Sequence, residues 1–307
     1  AANFFYFAGW ADKLDLSWNA KGLKPYGIVG QIIPWNFPLL MLSWKVAPAL
    51  ATGNVVILKP AESTPLTAIL FAELCQEVGL PPGVFNLVTG DGSTGAALVK
   101  HPDISKIAFT GSTGVGKYIQ KETADRDIGL TLELGGKAAN IVFNDAAIDQ
   151  AVEGVVNGIF FNQGHVCCAG SRLVLQEDIH DEFVTKLEKR MQSLRVGNPL
   201  DKNTDIGAIN SKDQLDKITS LVNEGVEEGG TIFQTDCELP QNGFWFKPTL
   251  FTNAQPSYRI SREEIFGPVL TTLTFRTPEE AIEISNNTEY GLSAGIWTEK
   301  GSKIFKL

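Results

Sequence analysis

Residues 54–88 read NVVILKPAESTPLTAILFAELCQEVGLPPGVFNLV and contain a complete strand–helix–strand pattern. Asn54–Lys59 and Val84–Val88 are short apolar runs rich in β-branched residues, which predicts a strand for each. Between them, Thr64–Val78 has the apolar periodicity of a helix. A helix that joins two such strands is typical of a parallel sheet, so this stretch predicts an α/β fold.

Residue types mark the ends of the helix predicted for Thr64–Val78. Thr64 can act as the N-cap, Pro65 would occupy the first helical position, and Gly79 is placed to end the helix. Apolar residues line one face of it, namely Leu66, Ile69, Leu70, Leu74 and Val78. The run therefore predicts an amphipathic helix.

The same alternation of strands and helices continues on both sides of this stretch. Further strands are predicted at Gly27–Ile33, Lys106–Thr110, Leu130–Glu133 and Asn140–Phe143, and then at Arg172–Gln176, Thr231–Gln234, Pro268–Thr274 and Gly295–Thr298. Further helices are predicted at Asp149–Phe161 and Asp181–Leu194. The alternation restarts near Gly135-Gly136, which predicts two α/β domains, residues 1–134 and 135–307, with largely parallel sheets.

The composition is that of an ordinary globular protein, with 43% hydrophobic and 20% charged residues among 307. A net charge of −9 argues against a nucleic-acid partner. The longest apolar runs are shorter than the roughly 20 residues that a membrane span needs. Four cysteines and three histidines, without CxxC or HxxxH spacing, predict neither a disulfide framework nor a metal site. We expect a reducing compartment and hence a cytoplasmic protein.

The chain opens on Ala1 and closes at Leu307 inside a new amphipathic pattern. We therefore expect it to be a fragment of a longer polypeptide that lacks both termini.

Residues 161–172 read FNQGHVCCAGSR and contain the strongest candidate for chemistry. The adjacent cysteines Cys167 and Cys168 lie in polar, glycine-flanked surroundings that suit an accessible thiolate, although either could be a small core residue. His165 could lower the pKa of a neighbouring thiol, or could be a satisfied loop residue. Glu133, in an apolar run, could have a raised pKa and act as a general base, or could simply face water. Asn36 could donate a hydrogen bond to an oxyanion.

Three further segments could bind a nucleotide. Gly111–Lys117 (GSTGVGK) follows a strand and opens a helix, where a phosphate is favoured. It nearly matches the P-loop pattern, but Tyr118 stands where the Mg²⁺-binding Ser or Thr should be, and a plain tight turn is equally open. Lys59 and Glu62 follow another strand and could bind a ribose, or form a solvated pair. In the segment 263–268 (EEIFGP), a carboxylate could hold a ribose and a phenyl ring could back a flat ligand, or the segment could be an exposed acidic turn.

Taken together, these residues resemble the aldehyde dehydrogenase superfamily, whose motifs occur in the family's order along nearly the whole chain. The matching segments are PWNFP (34–38), KPAE (59–62), FTGS (109–112), ELGGK (133–137), NQGxxCxAGSR (162–172), EEIFGP (263–268) and NNTEYGL (286–292). Residues 166–168 and 205–209 look most similar to family 16 of that superfamily. The resemblance implies a Rossmann-like parallel-sheet cofactor domain (1–134) followed by an α/β catalytic domain (135–307).

The resemblance also implies roles for individual residues in the NAD-linked oxidation of an aldehyde to a carboxylic acid. Cys167 is similar to the family's nucleophile, which forms a thiohemiacetal and then a thioester, with Cys168 beside it. Glu133 matches the general base for the cysteine or for the water that hydrolyses the thioester. The Asn36 side chain and the Cys167 backbone N–H match the oxyanion hole. Glu264 is the fourth residue that we place in the catalytic set.

For the cofactor, the resemblance implies NAD rather than NADP, because Glu62 would repel a 2′-phosphate. Lys59 and Glu62 match contacts to the adenosine ribose, Ser112 the pyrophosphate site, and Glu264 and Phe266 the nicotinamide ribose and ring. The full predicted set is Ile32, Ile33, Pro34, Trp35, Lys59, Ala61, Glu62, Gly92, Phe109, Thr110, Gly111, Ser112, Val115, Leu134, Gly135, Glu264 and Phe266. No metal is expected.

Several positions depart from the family pattern. They are Gly114 in the phosphate turn, Ala138-Ala139 after ELGGK, and His165 and Val166 before the nucleophile. The segment 10–27 is similar to a shortened form of the family's oligomerisation hairpin, and the resemblance implies that the full-length protein is a homo-oligomer without nucleic-acid or membrane partners. Three other functions remain open: a P-loop NTPase, a non-catalytic scaffold of the same fold, and an enzyme that transfers the acyl group to coenzyme A.

Overall fold

The computed structural model describes residues 1–16 and 22–307. They divide into two compact units, a first unit of Ala1–Leu134 and a second unit of Gly135–Leu307, each described by itself below. Both units combine one sheet with helices, so the predicted α/β class is confirmed. Of the segment 10–27 predicted to be an oligomerisation remnant, residues 17–21 lie outside the described residues.

Five strands form a parallel sheet in the described part of the first unit, in the order β3-β2-β1-β4-β5. They are β1 (Ile28–Ile32), β2 (Val55–Lys59), β3 (Phe85–Leu87), β4 (Lys106–Thr110) and β5 (Gly129–Glu133). Ile32 lies opposite Lys59 and Phe109, and Thr110 lies opposite Glu133. Because parallel strands end at one edge of a sheet, these residues share the edge where open α/β sheets bind ligands.

Helices of the first unit connect these strands and cover the sheet. They are α1 (Ala2–Ala11), α2 (Pro38–Ala51), α3 (Leu66–Glu77), α4 (Gly92–Lys100) and α5 (Thr113–Glu122). One buried cluster joins α2 and α3 to the sheet through residues such as Leu42, Val46 and Leu58. Another joins α4 and α5 to it, with Ile107 and Ile119 at its centre. Separate clusters of this kind are expected when helices pack on both faces of a parallel sheet.

The helix α3 differs from its sequence-based description in two respects. It begins at Leu66, with Pro65 at the N-cap and no side chain capping it, so the assignments of Thr64 as N-cap and of Pro65 as the first helical residue were wrong. The apolar face identified from the sequence is also not the buried one, because Leu66 is 76% exposed and Val78 80% exposed. Core contacts come instead from Ala68, which is buried, and from a set of stacked rings.

That ring set explains the orientation of α3. The ring of Phe71 stacks on Phe4 of α1, with centroids 5.2 Å apart, and meets the edge of Phe85 in β3 at 5.1 Å. These ring contacts place the side of α3 that carries Phe71 against α1 and β3. Gly79 follows the helix with a φ of +77°, as its predicted role at the helix end requires.

The second unit has a mixed sheet in which six described strands run in the order β11-β6-β7-β10-β9-β8. They are β6 (Ala139–Val142), β7 (Arg172–Gln176), β8 (Ile232–Gln234), β9 (Thr249–Phe251), β10 (Val269–Phe275) and β11 (Ala294–Trp297). All neighbours are parallel except β8, which pairs antiparallel with β9. Sequence analysis missed β9, because it has three residues and follows Pro248.

The helices of the second unit enclose a large apolar core. They are α6 (Ile148–Phe160), α7 (His180–Met191), α8 (Lys212–Glu227), α9 (Arg259–Arg262), α10 (Pro278–Asn286) and α11 (Gly301–Lys306). Val155 of α6 and Phe183 of α7 pack with Leu173 and Leu175 of β7, all fully buried. The strands and helices predicted from the sequence are therefore present, with ends displaced by a few residues at most.

Within residues 1–16 and 22–307, no helix combines the length and the apolar character that crossing a membrane requires. In the same part of the chain, no three His, Cys, Asp or Glu side chains cluster in a way that could hold a metal ion.

Candidate functional site

A cavity of about 560 Å³ opens at the carboxyl edge of the sheet in the first unit. The sequence-predicted residues that line it are Ile32, Ile33, Pro34, Trp35, Lys59, Ala61, Glu62, Gly92, Phe109, Thr110, Gly111, Ser112 and Val115. They come from the ends of three strands and from the first turns of the helices that follow. The cavity has the size and position expected of a small-ligand site in an open α/β sheet.

Sequence reasoning missed five residues that line this cavity. They are Gly95, Ala96, Val99, Tyr118 and Ile119, all on α4 and α5. A signal for α4 was available, since Asp91 precedes a helical pattern and caps the helix by accepting a hydrogen bond from the Ser93 N–H at 2.9 Å. These residues form a largely apolar wall of the cavity. Gly95 and Ala96 occupy positions where a larger side chain would project into the cavity.

A buried lysine and a neighbouring glutamate form the polar corner of the cavity. The Lys59 Nζ donates a hydrogen bond to Glu62 Oε1 at 2.9 Å and another to the Pro60 carbonyl at 3.1 Å. Lys59 is 4% exposed, so its ammonium is largely withdrawn from water. Partial burial alone would raise the pKa of Glu62, but the hydrogen bond from Lys59 lowers it below its usual value. The corner therefore presents an ionised carboxylate beside a fixed ammonium.

The turn between β4 and α5 is shaped for a close approach by a ligand. Ser112 caps α5, its Oγ accepting a hydrogen bond from the Val115 N–H at 3.4 Å. Gly111 lies against the ring of Phe109, and a Cβ on Gly111 would come within 2.5 Å of it. Glycine therefore leaves the Phe109 ring undisturbed at this turn, where the first N–H groups of α5 favour a negatively charged group.

Asn36 and Glu133 also belong to the first unit. Asn36 is half-buried in the loop between β1 and α2, and Glu133 ends β5. The side chain of Glu133 is exposed, so the apolar surroundings expected from its sequence context are absent, and it faces water at the end of its strand. Burial lowers the pKa of nearby Lys45 to about 8, an effect that the negative charge of Glu133 partly offsets. Leu134 follows and packs against Gly116 of α5.

In the second unit, Cys167 lies after a left-handed turn. Asn162 and Gln163 have φ values of +49° and +57°, and Gly164 has +72°. Left-handed backbone is costly for residues with a Cβ, so it needs support from its surroundings. The Gln163 Oε1 supplies that support by accepting a hydrogen bond from the Gly207 N–H at 2.9 Å. Since neither Asn nor Gln demands this conformation, the sequence did not reveal the turn.

The two cysteines after this turn differ in exposure. Cys167 is half-buried and Cys168 is exposed. Burial raises the pKa of the Cys167 thiol, and the neighbouring Cys168 raises it further. The carbonyl of Cys167 packs against Gly136, where a Cβ would come within 2.3 Å of the carbonyl oxygen. The second glycine of ELGGK is therefore required because the backbone that carries the cysteine lies directly against it.

Glu264 belongs to the same surroundings. Its Oε1 accepts a hydrogen bond from the Gly136 N–H at 3.1 Å. A Cβ on Gly135 would come within 2.5 Å of the other carboxylate oxygen of Glu264. Burial raises the pKa of Glu264, although the hydrogen bond from Gly136 opposes the shift. The structure thus brings together the segments of Gly135-Gly136, Cys167 and Glu264 within the second unit.

The imidazole of His165 is 2% exposed and stacks on the ring of Phe266, with centroids 5.6 Å apart and planes at 19°. Burial lowers the pKa of His165 to about 4, so the imidazole is neutral near pH 7. The suggestion that a charged His165 lowers the pKa of a neighbouring thiol is therefore wrong. A neutral ring cannot stabilise a thiolate by charge.

The buried imidazole predicts a pH dependence of stability. The pKa of His165 rises from about 4 in the folded chain to its ordinary 6.5 when the chain unfolds. The unfolded state therefore binds more protons between these values, and the stabilisation is complete above pH 6.5 and lost as the pH falls towards 4. Between pH 7 and pH 5 we expect the parent to lose about 2 kcal/mol more free energy of unfolding than His165→Phe.

Urea unfolding at the two pH values measures this difference. Equal losses in the parent and in His165→Phe would contradict a buried neutral imidazole.

Comparisons with known proteins agree with the geometry of both units. The model of the aldehyde dehydrogenase family matches residues 1–307. An aldehyde dehydrogenase of Emericella nidulans is 47% identical over 304 residues, which are 96% of this chain and 61% of that protein. The human mitochondrial aldehyde dehydrogenase is 47% identical over 308 residues, which are 96% of this chain and 59% of that protein.

Solved structures give the same result. The crystal structure of PnpE from Pseudomonas sp. WBC-3 has a TM-score of 0.94 and 44% identity, covering 99% of this chain and 65% of that one. The NAD⁺ complex of an aldehyde dehydrogenase from Bacillus cereus has a TM-score of 0.93 and 42% identity, covering 99% of this chain and 64% of that one. The chain thus spans about three-fifths of the length of the curated relatives described above.

Proposed function

The chain belongs to the aldehyde dehydrogenase family, and from that premise we propose that it oxidises an aldehyde to a carboxylic acid with NAD. The observation that carries the proposal is the position of Cys167. It is a half-buried thiol after a strained turn, its backbone packed on Gly136, to which Glu264 is hydrogen-bonded. We assign the nucleophile to the second unit and most of the cofactor-binding residues to the first. Membership of family 16 stays a prediction.

The cavity of the first unit has the chemistry that a dinucleotide requires. The charged pair of Lys59 and Glu62 suits ribose hydroxyls, because one side chain donates hydrogen bonds and the other accepts them. The cap of α5 at Ser112 suits a pyrophosphate. The apolar wall formed by Val99, Val115 and neighbouring residues suits an adenine ring. Structures of relatives that hold NAD support this choice of cofactor.

Glu62 is the proposed basis for preferring NAD over NADP. An ionised carboxylate beside the ribose would repel a 2′-phosphate, and such like-charge contacts cost several kcal/mol. We expect Glu62→Gln to shift the ratio of kcat/KM for NADP to that for NAD by roughly 10-fold or more towards NADP. Steady-state kinetics with both cofactors give the ratio.

Glu62→Asp is the matched control, since it keeps the charge and should keep the preference for NAD. If the ratio moved equally in Glu62→Asp and Glu62→Gln, charge repulsion would not be the cause of the preference.

We propose the following roles for individual residues in formation of the thioester. The Cys167 thiolate attacks the aldehyde carbon, forming a C–S bond and a tetrahedral oxyanion. The resemblance assigns the hydrogen bonds to that oxyanion to the Asn36 amide and the Cys167 backbone N–H, and one such donor is typically worth about 3–4 kcal/mol. NAD, when bound, would accept a hydride from this adduct, which would leave a thioester on Cys167.

Two carboxylates have further proposed roles. Glu133 takes a proton from the water that attacks the thioester, which breaks the C–S bond and releases the acid. Glu264 would accept hydrogen bonds from the nicotinamide ribose, and the hydrogen bond that it accepts from the Gly136 N–H fixes the direction of its carboxylate. Phe266 would back the nicotinamide ring.

The proposal is tested by incubating the chain with NAD and a panel of short, long and aromatic aldehydes. NADH absorbance should rise, and the acid should form in equal amount. Acyl transfer to added coenzyme A in preference to water would identify the acylating alternative. A folded chain that binds NAD but oxidises no aldehyde would contradict the proposed activity.

We also infer that the whole protein is a homo-oligomer and acts in a reducing compartment such as the cytoplasm. Free cysteines at Cys75, Cys167, Cys168 and Cys237 support the second inference. Light scattering of the purified protein measures the first.

A further inference from the structure

We propose that His165 is a positioning residue, whose ring holds the Phe266 ring in place and so couples the cysteine to the surface that backs the nicotinamide. We call residues 161–168 the nucleophile loop and residues 263–268 the acidic loop. The inference rests on the proposed function in one respect, because it takes Phe266 to back the nicotinamide. The contacts that carry it all lie in the second unit.

The stacked pair joins a buried histidine to a half-buried phenylalanine. His165 is 2% exposed, and its plane lies within 19° of the plane of Phe266. Because burial keeps the imidazole neutral, the stack is a contact between two flat, uncharged rings. A flat partner on one face of Phe266 restricts the tilt of the ring, which an aliphatic side chain would not do.

Phe266 needs such restraint because its backbone is strained. Its φ is +57°, in the left-handed region that residues with a Cβ rarely adopt. The Gln214 side-chain amide holds that backbone by donating hydrogen bonds to the Ile265 carbonyl at 3.0 Å and to the Phe266 carbonyl at 2.9 Å. Gln214 therefore fixes the backbone of Phe266, while His165 fixes its ring.

The two loops also meet at the position before the stack. Gly164 lies against the carbonyl of Gly267, so closely that a Cβ on Gly164 would come within 2.1 Å of the oxygen. Consecutive residues of the nucleophile loop, Gly164 and His165, thus contact consecutive residues of the acidic loop, Gly267 and Phe266. Two adjacent contacts fix the relative orientation of the loops, where one contact would leave a hinge.

The consequence for the reaction is geometric. The cysteine is two residues beyond His165, so a movement of the acidic loop is transmitted to it through the stack. Removing the His165 imidazole should leave the Cys167 thiol and the Phe266 ring in place chemically, but should misalign them with each other. Misalignments of about 1 Å can slow a chemical step about 100-fold while substrate binding is retained.

The test compares His165→Leu, which removes the flat ring, with His165→Phe, which keeps one. In His165→Leu we expect the rate of hydride transfer in a single turnover to fall at least about 10-fold, and the isotope effect with a 1-deuterated aldehyde to rise. The KM for the aldehyde should change little, since binding is not the affected step. His165→Phe should restore the rate and the isotope effect. His101→Leu, at an exposed histidine of the first unit, is the control.

A second measurement needs neither NAD nor aldehyde. The rate of alkylation of Cys167 by iodoacetamide, followed by mass spectrometry of its peptide, should rise several-fold in His165→Leu and return to the parent rate in His165→Phe. If the parent oxidises no aldehyde, the proposed function fails, and this measurement alone decides whether the stack positions the cysteine. If His165→Leu does not fold, His165→Gln replaces it as the variant without a ring.

The inference would be overturned if His165→Leu transferred hydride as fast as the parent. If the parent has no activity, equal rates of Cys167 alkylation in the two chains would overturn it instead. So would a failure of His165→Phe to rescue a defective Leu or Gln variant, because a flat ring at this position would then not be what matters.

Discussion

Replacing Cys167 by serine is expected to lower NADH formation at least ~1000-fold. A serine hydroxyl is a much weaker acid than a thiol and stays protonated at neutral pH, so it supplies almost no anionic nucleophile. The stabilising contacts around the residue should survive, because the serine keeps the backbone carbonyl that packs on Gly136. NAD-dependent oxidation in the steady state is the measurement.

Cys168→Ser is the matched control, since it removes the adjacent, exposed thiol. Activity should persist, and alkylation of Cys167 at pH 8 should become faster, because Cys168 is one of the causes that raise the pKa of the Cys167 thiol. Should Cys168→Ser abolish turnover while Cys167→Ser retains it, the nucleophile would have been assigned to the wrong cysteine.

The second large effect is expected for Glu133→Gln, which should lower kcat by about 10²–10⁴-fold. The carboxylate ends β5 and is exposed, so it can accept a proton from a water molecule. Glutamine has the same shape but cannot accept that proton. Because we assign Glu133 to hydrolysis of the thioester, the first turnover should remain fast, and NADH should appear as a burst equal to the enzyme concentration.

Stopped-flow measurement of NADH distinguishes the two roles open to Glu133. A slow first turnover without a burst would show that the carboxylate activates the cysteine instead. A kcat equal to that of the parent would remove Glu133 from the catalytic set.

Much of this fold could be predicted because its signals are local. Each strand of the first unit is a short apolar run between polar turns, and Gly111 lies at a turn that the sequence marks with a glycine-rich segment. The ends of those strands must meet at one edge of a parallel sheet, which is why Lys59, Glu62 and the turn at Gly111 could be expected near a ligand, while the resemblance to the family implied the other lining residues. Cys167 was predictable for a similar reason, since its motif is contiguous.

The remaining features depend on contacts between distant segments. The face of α3 that packs inwards is decided by Phe4 and Phe85, which lie far from it in the sequence. The stacking of His165 on Phe266 joins two loops that have three strands, β7, β8 and β9, between them along the chain. Glu133 stands in an apolar run yet is exposed, because the strand it ends stops at the sheet edge.

The strand order of the second unit also determines which of its strand pairings can form while the chain is still being translated. β6 is the first strand of that unit to be synthesised and β11 is the last, yet Ala139 of β6 lies opposite Ala294 of β11. One edge of β6 must therefore stay unpaired in the nascent chain while nearly all of the unit is made, and long-range pairings of this kind form slowly. An unpaired edge can recruit a strand from another chain. Chaperone capacity during translation should therefore limit the yield of soluble protein more than the stability of the finished fold does.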